Sequence, residues 1–136
     1  MMGVYWGAFN PLTEAHIAII AASLQNIPLK KLIIVVNNLS YKNYVYPIEI
    51  RLQKVQEIIQ SAGWKNVELL WQDETHKIDF SVLRKMTADP ICAIAGYDAY
   101  KSWVDYSGPE ERSLYNAIAV WELSIPMKFQ KILLLL

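Results

Sequence analysis

The sequence predicts a single α/β domain, a parallel sheet of about five strands with helices on both faces. Two observations predict it. Short apolar runs rich in Val and Ile alternate along the chain with longer stretches of helical periodicity, the pattern of parallel strands joined by right-handed crossovers. In addition, the 136 residues contain no internal repeat, low-complexity segment or linker, so one domain is expected over residues 1–136.

Five segments have the composition of strands. The first, residues 4–6, is short and ends at Gly7. The second, residues 31–36, is a run of Ile and Val with the character of a buried strand. The other candidates are residues 67–71, 91–95 and 117–123.

Helical segments lie between these strands. In the clearest one, residues 47–62, apolar side chains recur at helical spacing, Pro47 suits the first turn and Gly63 the stop. The remaining helix candidates are residues 13–24, 80–86 and about 98–104. In such a Rossmann-like sheet, ligands bind beyond the carboxyl ends of the strands, near the switch in strand order. The segments to inspect are therefore 7–16, 37–46 and 96–103.

Composition excludes several classes of function. Lys and Arg number 13, Asp and Glu number 13, and the formal net charge is zero, so the basic surplus of a nucleic-acid binder is missing. No apolar run is long enough to span a bilayer, no secretion signal is recognisable, and the single Cys92 offers neither a disulfide nor a metal-ligand pair. We expect a cytoplasmic protein without nucleic-acid or membrane partners and without a metal-ligand set. A small phosphorylated ligand is compatible with the charge balance.

The sharpest chemical signal is the segment 7–16, between the first strand and the first helix. Gly7 permits a tight exit from the strand and lets a ligand approach the backbone. Thr13 suits a helix N-cap, and His16 lies three residues later, so both side chains can face one site. Because free N–H groups at a helix N-terminus favour an anion, this segment predicts a cradle for phosphate oxygens. A bare T-x-x-H is more often an ordinary cap beside an exposed histidine, but here the match is longer.

The segment resembles the G-x-F-x-P-x-[HT]-x-G-H signature of the nucleotidylyltransferase superfamily. It departs from that signature at Asn10, where aspartate is common, and at Ala15, where glycine is usual. The resemblance implies that Gly7, Ala8 and Phe9 line a nucleotide through backbone groups. The residues on the defining positions are Gly7, Phe9, Pro11, Thr13 and His16.

A second candidate segment follows the fourth strand: Gly96, Tyr97 and Asp98, with Trp103 five residues later. Gly96 allows close backbone approach, Asp98 can cap a helix or bind a ribose hydroxyl, and Trp103 offers a stacking face. Taken alone, a capping aspartate and a core tryptophan are the commoner uses. Beside the first motif, however, the segment resembles the I-x-G-x-D…W block of nicotinate-mononucleotide adenylyltransferases. That resemblance implies nucleotide binding by Gly96 and Asp98, and acceptor binding by Tyr97 and Trp103.

Two basic residues complete the candidate site. Lys42 lies after the second strand, where that family has a P-P-H-K loop of which only the lysine is retained. It can reach a triphosphate, and a solvated loop lysine is an equal alternative. Arg51 is the arginine of a segment, residues 49–52, that resembles the family's E-x-R-[LM] helix start. We expect it to have a structural or supporting role.

The resemblance implies an adenylyltransferase of NAD biosynthesis. The phosphate of nicotinate or nicotinamide mononucleotide would attack the α-phosphorus of ATP in line, and pyrophosphate would leave. His16 would donate to an α-phosphate oxygen, assisted by Thr13 and Lys42. Mg²⁺ would be held mainly by the ATP phosphates. The expected partners are thus ATP and a mononucleotide, and a homo-oligomer is left open.

One segment of the family pattern has no match. After Trp103 nothing resembles the I-S-S-T-x-I-R segment that holds the outer phosphates; the Ser-Ile-Pro of residues 124–126 is no substitute, and Arg112 belongs to a polar turn that opens a helix. We therefore expect a C-terminally abbreviated domain that ends in an apolar tail, residues 131–136. Three alternatives follow: a pantetheine-phosphate adenylyltransferase or small cytidylyltransferase, a nucleotide-binding module without turnover, and a scaffold.

Overall fold

The computed structural model contains one six-stranded sheet. It describes the backbone of residues 1–124 and 128–135 and the side chains of residues 1–122. The strands are β1 (Met2–Gly7), β2 (Lys31–Asn37), β3 (Val67–Gln72), β4 (Ile91–Gly96), β5 (Ala117–Ser124) and β6 (Lys128–Leu135). The helices are α1 (Glu14–Asn26), α2 (Ile48–Ser61), α3 (Phe80–Met86), α4 (Tyr97–Tyr106) and α5 (Pro109–Ser113).

The sheet has the strand order β3-β2-β1-β4-β5-β6. β1 to β5 run parallel, which confirms the predicted five-stranded α/β sheet of Rossmann-like type. The chain winds outward in both directions from β1, so the order reverses between β1 and β4. Ligands of such sheets bind outside the carboxyl ends of the strands at this reversal.

The sixth strand differs from the prediction. β6 pairs antiparallel with β5, so the expectation of an apolar tail is wrong for residues 131–135. The backbone groups along the open edge of β5 supply partners that a tail would lack. Residue 136 and the Ile and Pro of the Ser-Ile-Pro segment lie outside the described residues.

Both faces of the sheet are buried beneath helices. Along β2, Leu32, Ile34 and Val36 enter one core cluster, and Ile33 and Val35 enter the other. The first cluster includes residues of α1 and α2, and the second includes residues of α3 and α4. This two-sided burial explains why the strand reads as an unbroken apolar run, and it confirms the predicted helices on both faces.

Local signals explain where the helices begin and end. Asp79 caps α3 by accepting a hydrogen bond from the Val82 N–H at 3.1 Å. Gly63, with φ +68°, follows the C-cap of α2, as the sequence predicts. Pro47 is the N-cap of α2, one position earlier than the first turn predicted for it. None of the helices in the described ranges is long and apolar enough to cross a membrane.

Candidate active site

A cleft of about 480 Å³ opens at the carboxyl ends of β1 and β4, where the strand order reverses. The residues that line it come from the ends of three strands and the first turns of α1 and α4. Six of the predicted site residues meet there: Gly7, Ala8, His16, Gly96, Tyr97 and Asp98. Ala15, which stands where the family signature has glycine, also lines the cleft.

The cap of α1 fixes the ring of His16. Thr13 is the N-cap, and its backbone N–H donates to Nδ1 of His16 at 3.0 Å. A backbone N–H can only donate, so Nδ1 is the accepting nitrogen and the neutral ring carries its proton on Nε2. The Thr13 hydroxyl lies 3.0 Å from the same Nδ1. Thr13 and His16 are therefore brought together as predicted, and Thr13 acts on the ring while itself standing outside the residues that line the cleft.

The protonation state of His16 follows from its burial. Desolvation lowers the pKa of His16 below its ordinary value, so the neutral ring is favoured near pH 7. No described residue accepts a hydrogen bond from Nε2. The cleft thus contains one ring N–H donor that the protein itself does not use, beside the N-terminus of a helix. This combination is suited to binding an anionic oxygen.

The Phe9 ring supports His16 from beneath. Phe9 has φ +48°, a left-handed conformation that is costly for a bulky residue, and its side chain is fully buried. The ring lies 4.9 Å from that of His16 and 5.6 Å from that of Tyr5, centroid to centroid. A Cβ at Gly7 would come within 3.0 Å of the Phe9 ring. Gly7 and Phe9 thus fit each other. Phe9 itself is not among the residues that line the cleft, so its predicted contact with a nucleotide stays a prediction.

The start of α4 forms the opposite wall. Gly96 is the N-cap of this helix, and Asp98 lies in its first turn, where a carboxylate is favoured by the helix dipole. Tyr97 and Asp98 are exposed on the cleft side. The Lys101 ammonium lies 5.4 Å from the centroid of the Tyr97 ring, and both side chains of this wall are accessible to a ligand.

Two predicted residues lie away from the cleft. The ring of Trp103 lies at 76° to that of Tyr115, 5.7 Å between centroids, and is half-buried against the core cluster beneath α4. Lys42 is exposed on the loop between β2 and α2, and it is not among the residues that line the cleft. The acceptor role of Trp103 and the phosphate role of Lys42 therefore stay predictions.

The contribution of β5 to the cleft was not predicted from the sequence. Trp121 and Glu122, in β5, line the cleft beside Gly96, with which Trp121 is paired in register. The signal was present, because the carboxyl ends of neighbouring parallel strands meet at one edge of a sheet. Applied to the predicted fifth strand, the same rule would have included these residues.

The charged side chains among the described residues that line the cleft are acidic. Asp98 and Glu122 supply carboxylates, and no lysine or arginine is among the described residues that line it. Arg112 is engaged elsewhere, donating to the Ser107 carbonyl at 3.0 Å. Within the described residues, no group of three or more His, Cys, Asp and Glu side chains comes together to hold a metal ion.

Comparison with known proteins defines the family. A model of the Cytidylyltransferase-like family matches residues 4–132, and the chain belongs to that family. It is similar to the phosphopantetheine adenylyltransferase of Helicobacter acinonychis, with 36% identity over 69 residues, 51% of this chain and 41% of that protein. The enzyme of that name from Helicobacter pylori is 37% identical over 67 residues, 49% of this chain and 40% of its own length. The chain therefore matches about two fifths of these relatives.

Solved structures share the fold. The chain resembles a bifunctional NMN adenylyltransferase/ADP ribose pyrophosphatase from Francisella tularensis, crystallised with AMP and a manganese ion. The TM-score is 0.61 at 20% identity, over 96% of this chain and 38% of that one. A NadR protein in complex with NAD and AMP-PNP gives a TM-score of 0.58 at 16% identity, over 90% of this chain and 38% of that one. At these identities the likeness concerns the fold.

Proposed function

We propose that the cleft binds ATP and transfers its adenylyl group to the phosphate of an acceptor. An oxygen of the acceptor phosphate forms a bond to the α-phosphorus of ATP. The bond from that phosphorus to the next bridging oxygen breaks, and pyrophosphate leaves with the electron pair. The observation that carries this proposal is His16, whose Nδ1 is engaged by Thr13 and whose Nε2–H is left as a donor in the cleft.

Such a transfer needs no covalent intermediate with the protein, only positioned reactants and donors for the developing negative charge. In this proposal the Nε2–H of His16 and the free N–H groups at the start of α1 donate to the α-phosphate. Gly7 and Ala8 bring the backbone close to the nucleotide, and Asp98 binds a ribose hydroxyl. Lys42, exposed on its loop, reaches the outer phosphates.

Mg²⁺ is part of the proposal. Mg²⁺ is usually held by substrate phosphates and water together with one or two carboxylates. With Asp98 on the ribose, Glu122 is the cleft carboxylate that remains for the ion, and the ATP phosphates would hold most of it. When bound, the ion would supply positive charge to the phosphates. The residues of this chain bind and orient the nucleotide around it.

Two classes of acceptor, with three compounds between them, are candidates. Gly96, Tyr97 and Asp98, with Trp103, resemble the block of the nicotinate-mononucleotide enzymes, which supports nicotinate or nicotinamide mononucleotide and a role in NAD biosynthesis. The curated relatives support phosphopantetheine as the second candidate. Trp103 is half-buried against Tyr115 and does not line the cleft, which weakens one argument for the first candidate.

The test is pyrophosphate release by the purified chain with ATP, Mg²⁺ and each of the three acceptors in turn. We expect turnover with one acceptor class. His16→Asn should lower it by about 10²–10³-fold, the usual cost of one transition-state donor. His76→Asn is the matched control, because His76 is the other histidine and is exposed outside the cleft; it should retain full activity.

Calorimetry with ATP separates the alternatives. ATP binding without turnover of any acceptor would make the domain a nucleotide-binding module, as the unmatched C-terminal segment suggests. Equal loss of activity in both histidine variants would remove the role of His16. Absence of ATP binding at millimolar concentration would contradict the proposal altogether.

A further inference from the structure

Arg51, in the first turn and a half of α2, is the largest fully buried side chain among those described, with 1% of its surface exposed. Burial of a cation is costly unless its donors are satisfied. No carboxylate in the described part of the chain forms a salt bridge with it. The guanidinium is instead held by neutral oxygens and by one aromatic ring, and the identity of those groups indicates its role.

One side of the guanidinium holds the strand ends beside the cleft. Nη1 donates to the carbonyl of Ala8 at 3.0 Å and to the carbonyl of Asn37 at 2.7 Å. Ala8 lines the cleft directly after β1, and Asn37 is the last residue of β2. Arg51 therefore ties the first loop of the cleft to the neighbouring strand.

The other side holds the loop of residues 38–46, which carries Lys42. Nε donates to the Tyr46 carbonyl at 2.9 Å, and Nη2 donates to Oδ1 of Asn38 at 2.7 Å. The guanidinium carbon lies 3.9 Å from the centroid of the Tyr44 ring, within the range of a cation–π contact. Both ends of this loop are thus attached to one side chain.

A second link joins the same two loops. The Tyr46 N–H donates to Oδ1 of Asn10 at 3.0 Å. The 38–46 loop is closed internally by the Leu39 N–H, which donates to the Tyr44 hydroxyl at 3.0 Å. Both ends of the loop that carries Lys42 are bonded to Arg51, which is also bonded to Ala8. The position of this loop relative to Ala8 is therefore set by Arg51.

We propose that Arg51 is the positioning residue of the cleft: it fixes the loop of residues 8–12 against the loop of residues 38–46. The N–H groups of its planar guanidinium point in several directions, toward Ala8, Asn37 and Tyr46. The ammonium group of a lysine cannot reproduce that geometry. A displacement of about 1 Å at a site of this kind costs up to about 10²-fold in rate. The effect on catalysis rests on the proposed adenylyl transfer, whereas the effect on the loops does not.

The experiment compares Arg51→Lys with Arg84→Lys. Arg84 is a matched control, because it is a half-buried arginine that donates to the backbone carbonyls of Thr87 and Asp89, away from the cleft. For each folded variant, hydrogen exchange is measured at the Leu39 and Tyr46 amides. ATP affinity, kcat and KM are measured alongside.

In Arg51→Lys we expect faster exchange at these two amides and no change at the Ile27 amide, which closes α1 elsewhere. We also expect kcat/KM, or ATP affinity if the chain proves to bind without turnover, to fall by about ten-fold or more, with Arg84→Lys within about two-fold of the parent chain. Faster exchange with unchanged kcat/KM and unchanged affinity would make Arg51 a stabilising residue only and overturn the proposal. If the parent chain has neither activity nor affinity for ATP, the proposed function fails, and the exchange result alone decides the role of Arg51.

Asn10→Ala provides a second test at the same junction without removing a buried charge. It should accelerate exchange at Tyr46 and lower kcat/KM in the same direction as Arg51→Lys, by a smaller factor. Methylguanidinium should partly restore the activity of Arg51→Ala where that variant folds. If Asn10→Ala changes neither the Tyr46 amide nor the kinetic constants, the junction does not position the cleft and the proposal is wrong, even where the Arg51 variants do not fold.

Discussion

The two segments that face each other across the cleft differ in how far the protein fixes their side chains. In the segment after β1, the Phe9 ring is buried over Gly7, and the His16 ring is held by Thr13. In the segment after β4, by contrast, Tyr97 and Asp98 stand exposed in the first turn of α4. The side chains of one wall are held by buried contacts, and those of the other wall are exposed.

A sequence motif does not distinguish residues that are held by internal packing from residues that are exposed to a ligand, and the two segments differ in this respect. In the first segment, a substitution changes the packing as well as the chemistry, because each side chain supports the next. In the second segment, a substitution should change ligand binding and leave the fold intact. Stability and nucleotide binding, measured on the same variants, test this difference.

Phe9→Ala should have the largest effect on stability. A fully buried phenylalanine exchanged for alanine typically costs about 3–5 kcal/mol, and the variant also removes the support beneath His16. Chemical denaturation measures the loss. The control is Phe80→Ala, where the ring is half-buried on the opposite face of the sheet against Tyr115, and where the loss should be smaller. Equal losses would contradict the view that the first wall is unusually fixed.

His16→Asn should separate chemistry from structure within that wall. The asparagine Oδ1 can accept the Thr13 N–H in place of Nδ1, so the cap of α1 is retained while the Nε2–H is lost. Turnover should fall by about 10²–10³-fold, equivalent to about 2.7–4 kcal/mol of transition-state stabilisation, with little change in the unfolding midpoint. A large loss of stability would show that the ring serves mainly as a structural element.

Asp98→Asn tests the exposed wall. Loss of a charged partner for a ribose hydroxyl should weaken ATP binding by about ten-fold, with a change in stability within about 0.5 kcal/mol. Asp105→Asn, exposed on the same helix and outside the cleft, is the control and should leave affinity unchanged. Calorimetry measures both variants. If the two variants bind ATP equally well, Asp98 has no part in the nucleotide site.

Trp103→Leu tests a residue to which the sequence motif assigns acceptor binding but whose ring contacts Tyr115. Its edge-on contact with Tyr115 predicts a stability loss of about 1 kcal/mol or more. The KM for the acceptor should stay within about two-fold of the parent value. Val104→Ala, at the exposed neighbouring position, controls for the helix. A raised KM with normal stability would restore the acceptor role that the sequence assigns to Trp103.

The sequence predicts most of this molecule because local patterns decide most of it. The five parallel strands and the bounds of α3 follow from apolar periodicity and capping, and the strand-order rule brings Gly7 and Gly96 to one cleft. What a motif cannot show is which of its residues reach the cleft: Trp103 contacts Tyr115 and is not among the residues that line the cleft. The link from Arg51 to Ala8 joins residues that are 43 positions apart, which no local pattern can show. β6 is a different case, because it is the next strand along the chain after β5 and its apolar run reads equally well as a tail.

The smallest effect expected is the dependence of stability on pH that His16 contributes. Burial lowers the pKa of His16 in the folded chain below the ordinary 6.5. The unfolded chain therefore takes up a proton first as the pH falls, and the free energy of unfolding declines from about pH 6.5 down to the folded pKa. Protonation also turns Nδ1 into a donor, which the Thr13 N–H opposes.

The parent chain and His16→Asn should accordingly differ in this pH window, since asparagine does not titrate but still accepts the Thr13 N–H. The carboxyl groups of Asp73, Glu74 and Asp79 have lowered pKa values, because hydrogen bonds favour their charged forms. Their contribution declines as the pH falls toward and below the ordinary 3.8 and 4.5, and it is common to both proteins. The difference between the two sets of denaturation curves from pH 6.5 to 4.5 therefore isolates the histidine. Parallel stability curves for the two proteins would mean that His16 is as easily protonated in the folded chain as in the unfolded one, and that the neutral ring is not imposed by the fold.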